Sequence, residues 1–453
     1  MCLVKKELEN LIVKKLLILA YDFPPYVSVG GLRPYNWHRY LKEFGVEPIV
    51  ITRQWANTHG NHLDYISSGI SPLVITEESQ FGTIYRTPYH PNLSNRLLLK
   101  HGDSRFKIIR KLISGFYEFT QFLYPIGPKS GLYTYAREYL KENKVDAIIA
   151  TGDPFVLFSY ASKLSKEFDI PWIADYRDPW SQNFSSKKGY LQRKFDMYFE
   201  KKIVKSSSLL ITVDTLFKIK LDLLFPNKKI EILPNGFDEE EIGHCSGIEQ
   251  NASHLTFSFI GTIYKWHPLE LMLNDFSNFA NSNPEKPFIL KFYGTNCSEQ
   301  IEHLVETKYY SLKSKLKIFN KLPNGELLRC LAQDNVLLLF NYYNFTGTKI
   351  YDYLGLKREI ILCYSESLEA IKLKDKFYFH SIETDILPQI DIINKTNSGI
   401  IVKDSTHLIS VIDEFYNEFQ STGKIACNSV GVEKYSRKIQ VEKLAEIVKN
   451  LGA

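Results

Sequence analysis

The chain is poor in cysteine and has no long apolar run. Its six cysteines, Cys2, Cys245, Cys297, Cys330, Cys363 and Cys427, are scattered without C-x-x-C spacing. That distribution argues against a structural zinc site and a disulfide framework, and fits a reducing cytosol. No window reaches the ~18 uninterrupted apolar residues that a spanning helix needs, so any membrane contact is expected to be peripheral. The run Leu16 to Ala20 has only a strand's length and meets Asp22, Pro24 and Pro25 at once, unlike a signal peptide. Short repeats and low-complexity tracts are lacking too. A net charge of +5 over 453 residues is too small to argue for nucleic acid without a basic stripe or binding motif, and none is present.

What is present is ordinary for a globular protein: 44% hydrophobic and 24% charged residues. The length exceeds one usual core and suggests two α/β domains of about 200 residues each. Aromatics are in excess, with 28 Tyr and 29 Phe, which suits dense cores, sugar-stacking surfaces or a lipid interface.

Short β-branched or apolar runs alternate with longer amphipathic stretches, the pattern of parallel sheets covered by helices. Strands are expected at Lys15 to Tyr21, Pro48 to Thr52, Thr83 to Thr87, Ala147 to Thr151, Trp172 to Asp175, Leu209 to Val213 and Ile230 to Leu233. After the Pro234-Asn235-Gly236 turn, residues 238–254 are acidic and aperiodic and read as a connection. The alternation then restarts, with strands Thr256 to Ile260, Phe288 to Tyr293, Leu316 to Phe319, Val336 to Phe340, Glu359 to Cys363 and Gly399 to Val402. Two doubly wound domains in tandem are expected, with ligands outside the carboxyl ends of the strands.

Three loops can carry chemistry. The first strand runs into a loop from Asp22 through Val27 to Pro34 that holds Gly30, Gly31 and Arg33, with a helix expected near Pro34. Paired glycines let backbone approach a ligand, and a helix start offers free N–H groups to an anion. The same pair also suits a plain βα turn. The strand from Val336 ends at Asn341, and a Thr/Gly-rich loop leads to Thr348, read as the cap of a helix opening with Lys349. A positive dipole end, unpaired N–H groups and a lysine there would stabilise a diphosphate, and Asp352 one turn on can accept hydrogen bonds from ribose hydroxyls. An ordinary capped helix is the alternative. The strand from Thr256 runs into Gly261, Thr262 and Lys265, with His267 as a cap candidate and Pro268 as first helical residue. Two basic loops at helix starts suit a pyrophosphate leaving group.

The series GGLRP, ADYRDPW at 174–180, ILPNGFD at 232–238, FIGTIYKW at 259–266, FYGT at 292–295 and TKIYDYLG at 348–355 resembles the retaining GT-B glycosyltransferases of family 4. The resemblance covers nearly the whole chain in order and is closest to members that build bacterial capsule, exopolysaccharide or O-chains. It implies a GT-B fold, α/β throughout, of two Rossmann-like doubly wound domains facing a cleft. Residues 1–237 would form the acceptor-side domain, 238–254 a linker, 255–430 the nucleotide-sugar domain, and 431–453 a helix crossing back.

It further implies a cytoplasmic enzyme transferring a sugar from a UDP- or GDP-sugar to a saccharide or lipid-linked acceptor, with retention, no enzyme nucleophile and no required metal or other cofactor. The family's basic pair falls on Lys265 and Lys349. Its paired glutamates fall on Asn344 and Asp352, and only the second position keeps a carboxylate. Its arginine after the domain-two glycine is Thr262 here, and a first-domain histidine aligns with Arg177. Arg177 would then support the donor sugar or leaving phosphate, and Asp178 or Asp153 would take the acceptor's proton. An Arg–Asp pair that merely fixes a loop suits the same residues. A sugar-nucleotide epimerase and a non-catalytic member remain the alternatives to transfer.

Residues 95–128 place Arg96, Lys100, Arg105, Lys107, Arg110 and Lys111 ahead of Phe116, Tyr117, Phe119, Phe122 and Tyr124, which suits contact with the anionic inner face of a membrane. A solvated helix packed on the first domain is the alternative. In Lys187 to Lys205, the spacing of Leu191, Phe195, Tyr198 and Phe199 predicts a core-packed helix.

Overall fold

A computed structural model describes residues 13–26, 28–56, 63–183, 188–378 and 386–451. Cys2, Val27, Lys187 and the final two residues lie outside these ranges. The chain divides into two compact units: Met1–Pro234 with Lys438–Ala453, and Asn235–Arg437.

Unit 1 is built on strands β1 (Lys14–Leu19), β2 (Val46–Arg53), β3 (Ile75–Ser79), β4 (Gly82–Thr87), β5 (Ala147–Gly152), β6 (Trp172–Tyr176), β7 (Leu209–Thr212) and β8 (Ile230–Ile232). Their order is β3-β4-β2-β1-β5-β6-β7-β8, parallel except for the antiparallel pair β3 and β4. The unbroken apolar runs explain the parallel arrangement: Leu16 to Leu19 and Ile148 to Ala150 are fully buried, as strands covered by helices on both faces require. Helices α1 (Val29–Tyr40), α2 (Leu93–His101), α3 (Lys107–Thr120), α4 (Ser130–Glu142), α5 (Val156–Phe168) and α6 (Tyr190–Val204) belong to this unit. The helix Arg437–Lys449 closes it, with Val441, Leu444 and Val448 entering the core beside Leu16 and Ile18.

Unit 2 opens with the one-turn helix α7 (Glu239–Gly243), capped by Asp238, whose carboxylate accepts from the Glu240 amide at 3.1 Å. Its strands β9 (Leu255–Ile260), β10 (Phe288–Tyr293), β11 (Leu316–Phe319), β12 (Val336–Phe340), β13 (Glu359–Cys363) and β14 (Gly399–Val402) form a parallel sheet in the order β11-β10-β9-β12-β13-β14. Helices α8 (Leu269–Ser282) and α9 (Lys349–Leu356) follow β9 and β12.

Each sheet has one point where the strand order reverses: between β1 and β5 in unit 1, and between β9 and β12 in unit 2. The loops leaving these four strands diverge to opposite faces, and a crevice results at the carboxyl ends where doubly wound sheets take their ligands.

Several expectations need correction. The first helix starts at Val29, not near Pro34, because Ser28 caps it: its hydroxyl accepts from the Gly30 amide at 3.1 Å. The glycine pair therefore sits in the first turn. In α6, Phe199, Ile203 and Val204 enter the core and Phe195 packs against it, as expected, but Leu191 is 80% and Tyr198 59% exposed, so those two do not share the buried face. No helix of the described residues is long and apolar enough to cross a membrane.

Candidate functional site

The reversal point of unit 2 gathers part of the predicted diphosphate site. β9 ends at Ile260, and Gly261 turns the chain with φ +68°, a left-handed conformation natural to glycine. A Cβ there would stand 3.3 Å from Lys349 Cε, so the lysine lies directly on the turn. Its ammonium donates to the Thr262 carbonyl at 2.9 Å and sits 4.3 Å from the centre of the Phe259 ring. Burial pushes the Lys349 pKa down to about 7. Among the described residues this half-buried ammonium has one carbonyl and a ring face as partners and no carboxylate, the state an arriving anion would relieve.

The rest of the loop is fixed from behind. The Ile263 amide donates to Asn296 Oδ1 at 2.8 Å, and Asn296 Nδ2 returns a bond to the Ile263 carbonyl at 3.2 Å. His267 does not cap α8; the helix begins at Leu269, and His267 Nδ1 accepts from the Tyr264 amide at 3.2 Å. Burial first, and the Lys349 charge second, hold His267 well below its ordinary pKa, hence neutral. With Nδ1 accepting, the proton sits on Nε2, a buried donor without a partner. Lys265 is exposed in this loop.

On the β12 side, Asn341 Oδ1 accepts from the Tyr343 amide at 2.7 Å, and Gln389 Oε1 accepts from the Tyr342 amide at 2.7 Å. Asn344 is buried; its amide nitrogen donates to the Tyr378 hydroxyl and its Nδ2 to the Ile386 carbonyl, both at 3.3 Å. Thr348 is exposed and its side chain makes no cap for α9, while its carbonyl accepts from the Tyr351 amide at 3.2 Å. Asp352 is raised to about 6, chiefly by burial; Arg437 opposes the shift and Asp238 adds to it.

The reversal point of unit 1 gathers a second group. Arg177 Nε donates to the Gly152 carbonyl at 2.7 Å and Nη2 to the Asp153 carbonyl at 2.6 Å. A Cβ on Gly30 would fall 1.9 Å from Arg177 Nη1 and 2.9 Å from Asp22 Oδ2, so the glycine is what admits the guanidinium. Asp22 Oδ2 accepts from the Ser28 hydroxyl at 2.9 Å, while its Oδ1 is buried without a partner. Burial raises the Asp22 pKa, against the pull of Ser28 and Arg177. Asp153 and Asp178 are both exposed beside Arg177.

Gly31 and Arg33 serve differently. A Cβ on Gly31 would meet the Asp22 and Phe23 backbone at 3.3 Å, so it sets the close approach of α1 to the loop. Arg33 is buried: its Nε and Nη2 reach Asp175 Oδ1 at 3.0 and 2.9 Å, and Nη1 donates to the Leu233 carbonyl at 2.9 Å. That guanidinium positions α1 against β6 and leaves phosphate contact to others.

Sequence reasoning passed over Asp22, Lys129 and His267 as functional groups. Asp22 stands three residues after β1, a position at the reversal point that could have singled it out. Lys129, whose pKa burial lowers against the pull of Asp153, carries no such positional signal.

No protein-family model matches the chain, and no curated protein does. Solved structures do. Sucrose-phosphate synthase from Thermosynechococcus elongatus is similar over 97% of this chain and 99% of its own, with a TM-score of 0.55 and 13% identity. HepE from Anabaena in complex with UDP and glucose matches over 96% and 100%, with a TM-score of 0.53 and 11% identity. WaaG, a glycosyltransferase involved in lipopolysaccharide biosynthesis, matches over 96% and 100%, with a TM-score of 0.52 and 11% identity. At such identities the likeness speaks to fold: the chain has the GT-B fold, two Rossmann-like domains on parallel sheets.

Proposed function

We propose that this chain is a retaining glycosyltransferase of the family 4 type that moves a sugar from a UDP- or GDP-sugar onto a saccharide acceptor. One observation carries the reading: Lys349, the first residue of α9, and the Gly261–Thr262 turn meet at the reversal point of a doubly wound sheet. A diphosphate is the ligand chemistry that uses a cation, a left-handed glycine turn and a helix start together. HepE, with its bound UDP, and WaaG support a nucleotide-sugar donor and a role in surface polysaccharide synthesis by analogy of fold.

In the reaction, the bond between the sugar's anomeric carbon and the diphosphate oxygen breaks, and the acceptor hydroxyl bonds to that carbon on the same face. The hydroxyl proton passes to the departing phosphate, or to Asp153 or Asp178. Lys349, with Lys265 and the α9 amides, stabilises the charge that accumulates on the diphosphate. Arg177 supports the donor sugar or the leaving phosphate as a fixed cation, and Asp352 holds the ribose. The acceptor is lipid-linked and met at the inner face of the cell membrane, which residues 95–128 contact.

The test is a mass-spectrometric screen of UDP- and GDP-sugars against lipid-linked saccharides, with Lys349→Ala beside the parent chain. Acceptor-dependent loss of donor that the substitution abolishes supports transfer. Donor consumption that ignores the acceptor points to epimerisation, and equal transfer by both chains refutes the assigned site.

A further inference from the structure

Unit 2 has a cavity at the end of its sheet away from Lys349. Helix α9 runs from that lysine towards the amino end of β13, a rise of about 12 Å at ~1.5 Å per residue. There its last residues, with α7 and the loop after it, line a space of about 500 Å³. That volume lies within the ~300–1,000 Å³ of sites that hold a small molecule, whereas doubly wound sheets take their substrates at the opposite end. Phe237, Ala332, Leu356 and Val432 are buried in its floor, and Ile242 and Ile248 are half-buried beside them.

Charged groups line the cavity as well. Glu239, Lys357 and Glu433 are exposed, and Lys357 donates to Glu433 Oε1 at 3.2 Å. Arg358 is half-buried, and its hydrogen bonds go to the carbonyls of Ala332, Ile248, Leu356 and Lys357; among the described residues none of them goes to a carboxylate. Burial lowers its pKa, as expected of a cation that is short of counter-charge. A half-buried charge is screened less than exposed ones, so Arg358 dominates the field inside the cavity. An apolar floor beside such a cation fits an apolar body that ends in one anionic group.

The cavity's wall is tied to the carboxylate assigned to the ribose. Asp238, which caps α7, lies 3.6 Å from Arg437 in an ion pair. Beyond the burial that raises the Asp352 pKa to about 6, Arg437 and Asp238 are the charges that act on it. Gly355 provides a second link: a Cβ there would stand 2.8 Å from Phe237 Cγ and 2.9 Å from Ile242 Cγ1, so the floor packs directly on α9. A ligand that displaces Phe237 or α7 therefore alters the surroundings of Asp352. We propose that this cavity is a regulatory site for a small amphiphilic anion, its apolar body on Phe237 and Leu356 and its anionic group toward Arg358, and that its occupancy changes nucleotide affinity through α7, Asp238 and α9. Binding stands without the transfer reading; the coupling rests on Asp352 holding the ribose, as proposed above.

The full chain tests this by calorimetry with naphthalene-1-acetate and its uncharged counterpart naphthalene-1-acetamide. The acetate should bind saturably, and the acetamide at least about tenfold more weakly. Gly243→Trp, where an added Cβ meets nothing within 4 Å, and Ser246→Trp, at another exposed position of the lining, should each fill the cavity and abolish acetate binding. Lys349→Met should bind the acetate as the parent does, which excludes capture at the donor site. Saturating acetate should change the UDP affinity of the parent at least about fivefold, and UDP should change acetate affinity by the same factor. Both tryptophan variants should still bind UDP, which shows them folded, with an affinity that acetate no longer changes. Acetate bound equally by both tryptophan variants, lost from Lys349→Met, or bound no better than the acetamide would overturn the proposal, and so would a UDP affinity indifferent to acetate. A parent chain that bound the acetate but not UDP would uphold the site and refute the transfer reading together with the coupling.

Discussion

Replacing Lys349 with methionine keeps an unbranched stem one atom shorter but removes the charged end that lies over Phe259. In the free chain the ammonium donates to the Thr262 carbonyl at 2.9 Å, and a diphosphate oxygen would take over as acceptor. A hydrogen bond between charged partners is worth about 1.5–3 kcal/mol, so Lys349→Met should weaken nucleotide-sugar binding by roughly 10- to 150-fold. The pH dependence is more diagnostic. Lys349 titrates near pH 7 in the free chain because it is desolvated, and a bound dianion raises its pKa. Above pH 7 the complex therefore holds more protons than the free chain, and binding takes up protons. Affinity should be greatest below pH 7 and fall as pH rises, approaching a factor of about ten per unit. UDP-glucose and GDP-mannose suit the measurement because their diphosphates carry no proton that titrates in this range. Calorimetry at pH 8 in buffers of different ionisation enthalpy should show proton uptake by the parent chain and none by Lys349→Met. Affinity flat between pH 6.5 and 8.5, or uptake that survives the substitution, would refute the reasoning.

Other substitutions separate function from stability. Gly30→Ala places a methyl where Arg177 Nη1 stands, at 1.9 Å, yet alanine suits the first turn of α1. The fold and nucleotide binding should survive while turnover falls about ten- to a hundredfold, as loss of a positioned cation predicts; steady-state kinetics beside calorimetry checks this. Arg33→Met strands Asp175, which is 0% exposed, and urea unfolding should show a loss of about 3–5 kcal/mol with little change in nucleotide affinity. Glu200 is buried, and its pKa is pushed up to about 7 despite the Ser181 amide at 3.0 Å. A raised carboxyl pKa means that the folded chain holds the extra proton, so this group's contribution is full below about pH 4.5 and is lost as pH rises through 7. Glu200→Gln should flatten that part of the stability–pH curve and leave the chain more stable at pH 8, as read by thermal unfolding.

The strands were the most legible elements. Phe288–Tyr293, Leu316–Phe319, Val336–Phe340, Glu359–Cys363 and Gly399–Val402 carry the bounds expected of them, because buried parallel strands read as bare apolar runs between turn residues. β3 escaped notice: Ile75–Ser79 is an edge strand whose Thr76, Glu77, Glu78 and Ser79 are exposed, so no hydrophobic pattern marks it. The start of α1 was misplaced because two glycines argue against helix, while Ser28 provides a cap strong enough to begin one there. The loops that hold Gly261, Thr262 and Lys349 could be paired from sequence because each runs from a strand's end to the start of a helix. The contact of Arg177 with Asp22 and Gly30 could not, since it joins two segments more than a hundred residues apart. Nor can a one-dimensional pattern tell which side of an amphipathic helix faces water: in α3, Leu112 is 70% exposed while Arg110 is buried.

The most direct test is the crystal structure of the chain soaked with UDP-glucose or GDP-mannose. The diphosphate is predicted to lie within hydrogen-bond distance of Lys349 Nζ and of the amides that open α9, with Lys349 drawn off the Thr262 carbonyl. A nucleotide bound elsewhere, with the bond from Lys349 to Thr262 kept at 2.9 Å, would contradict the account.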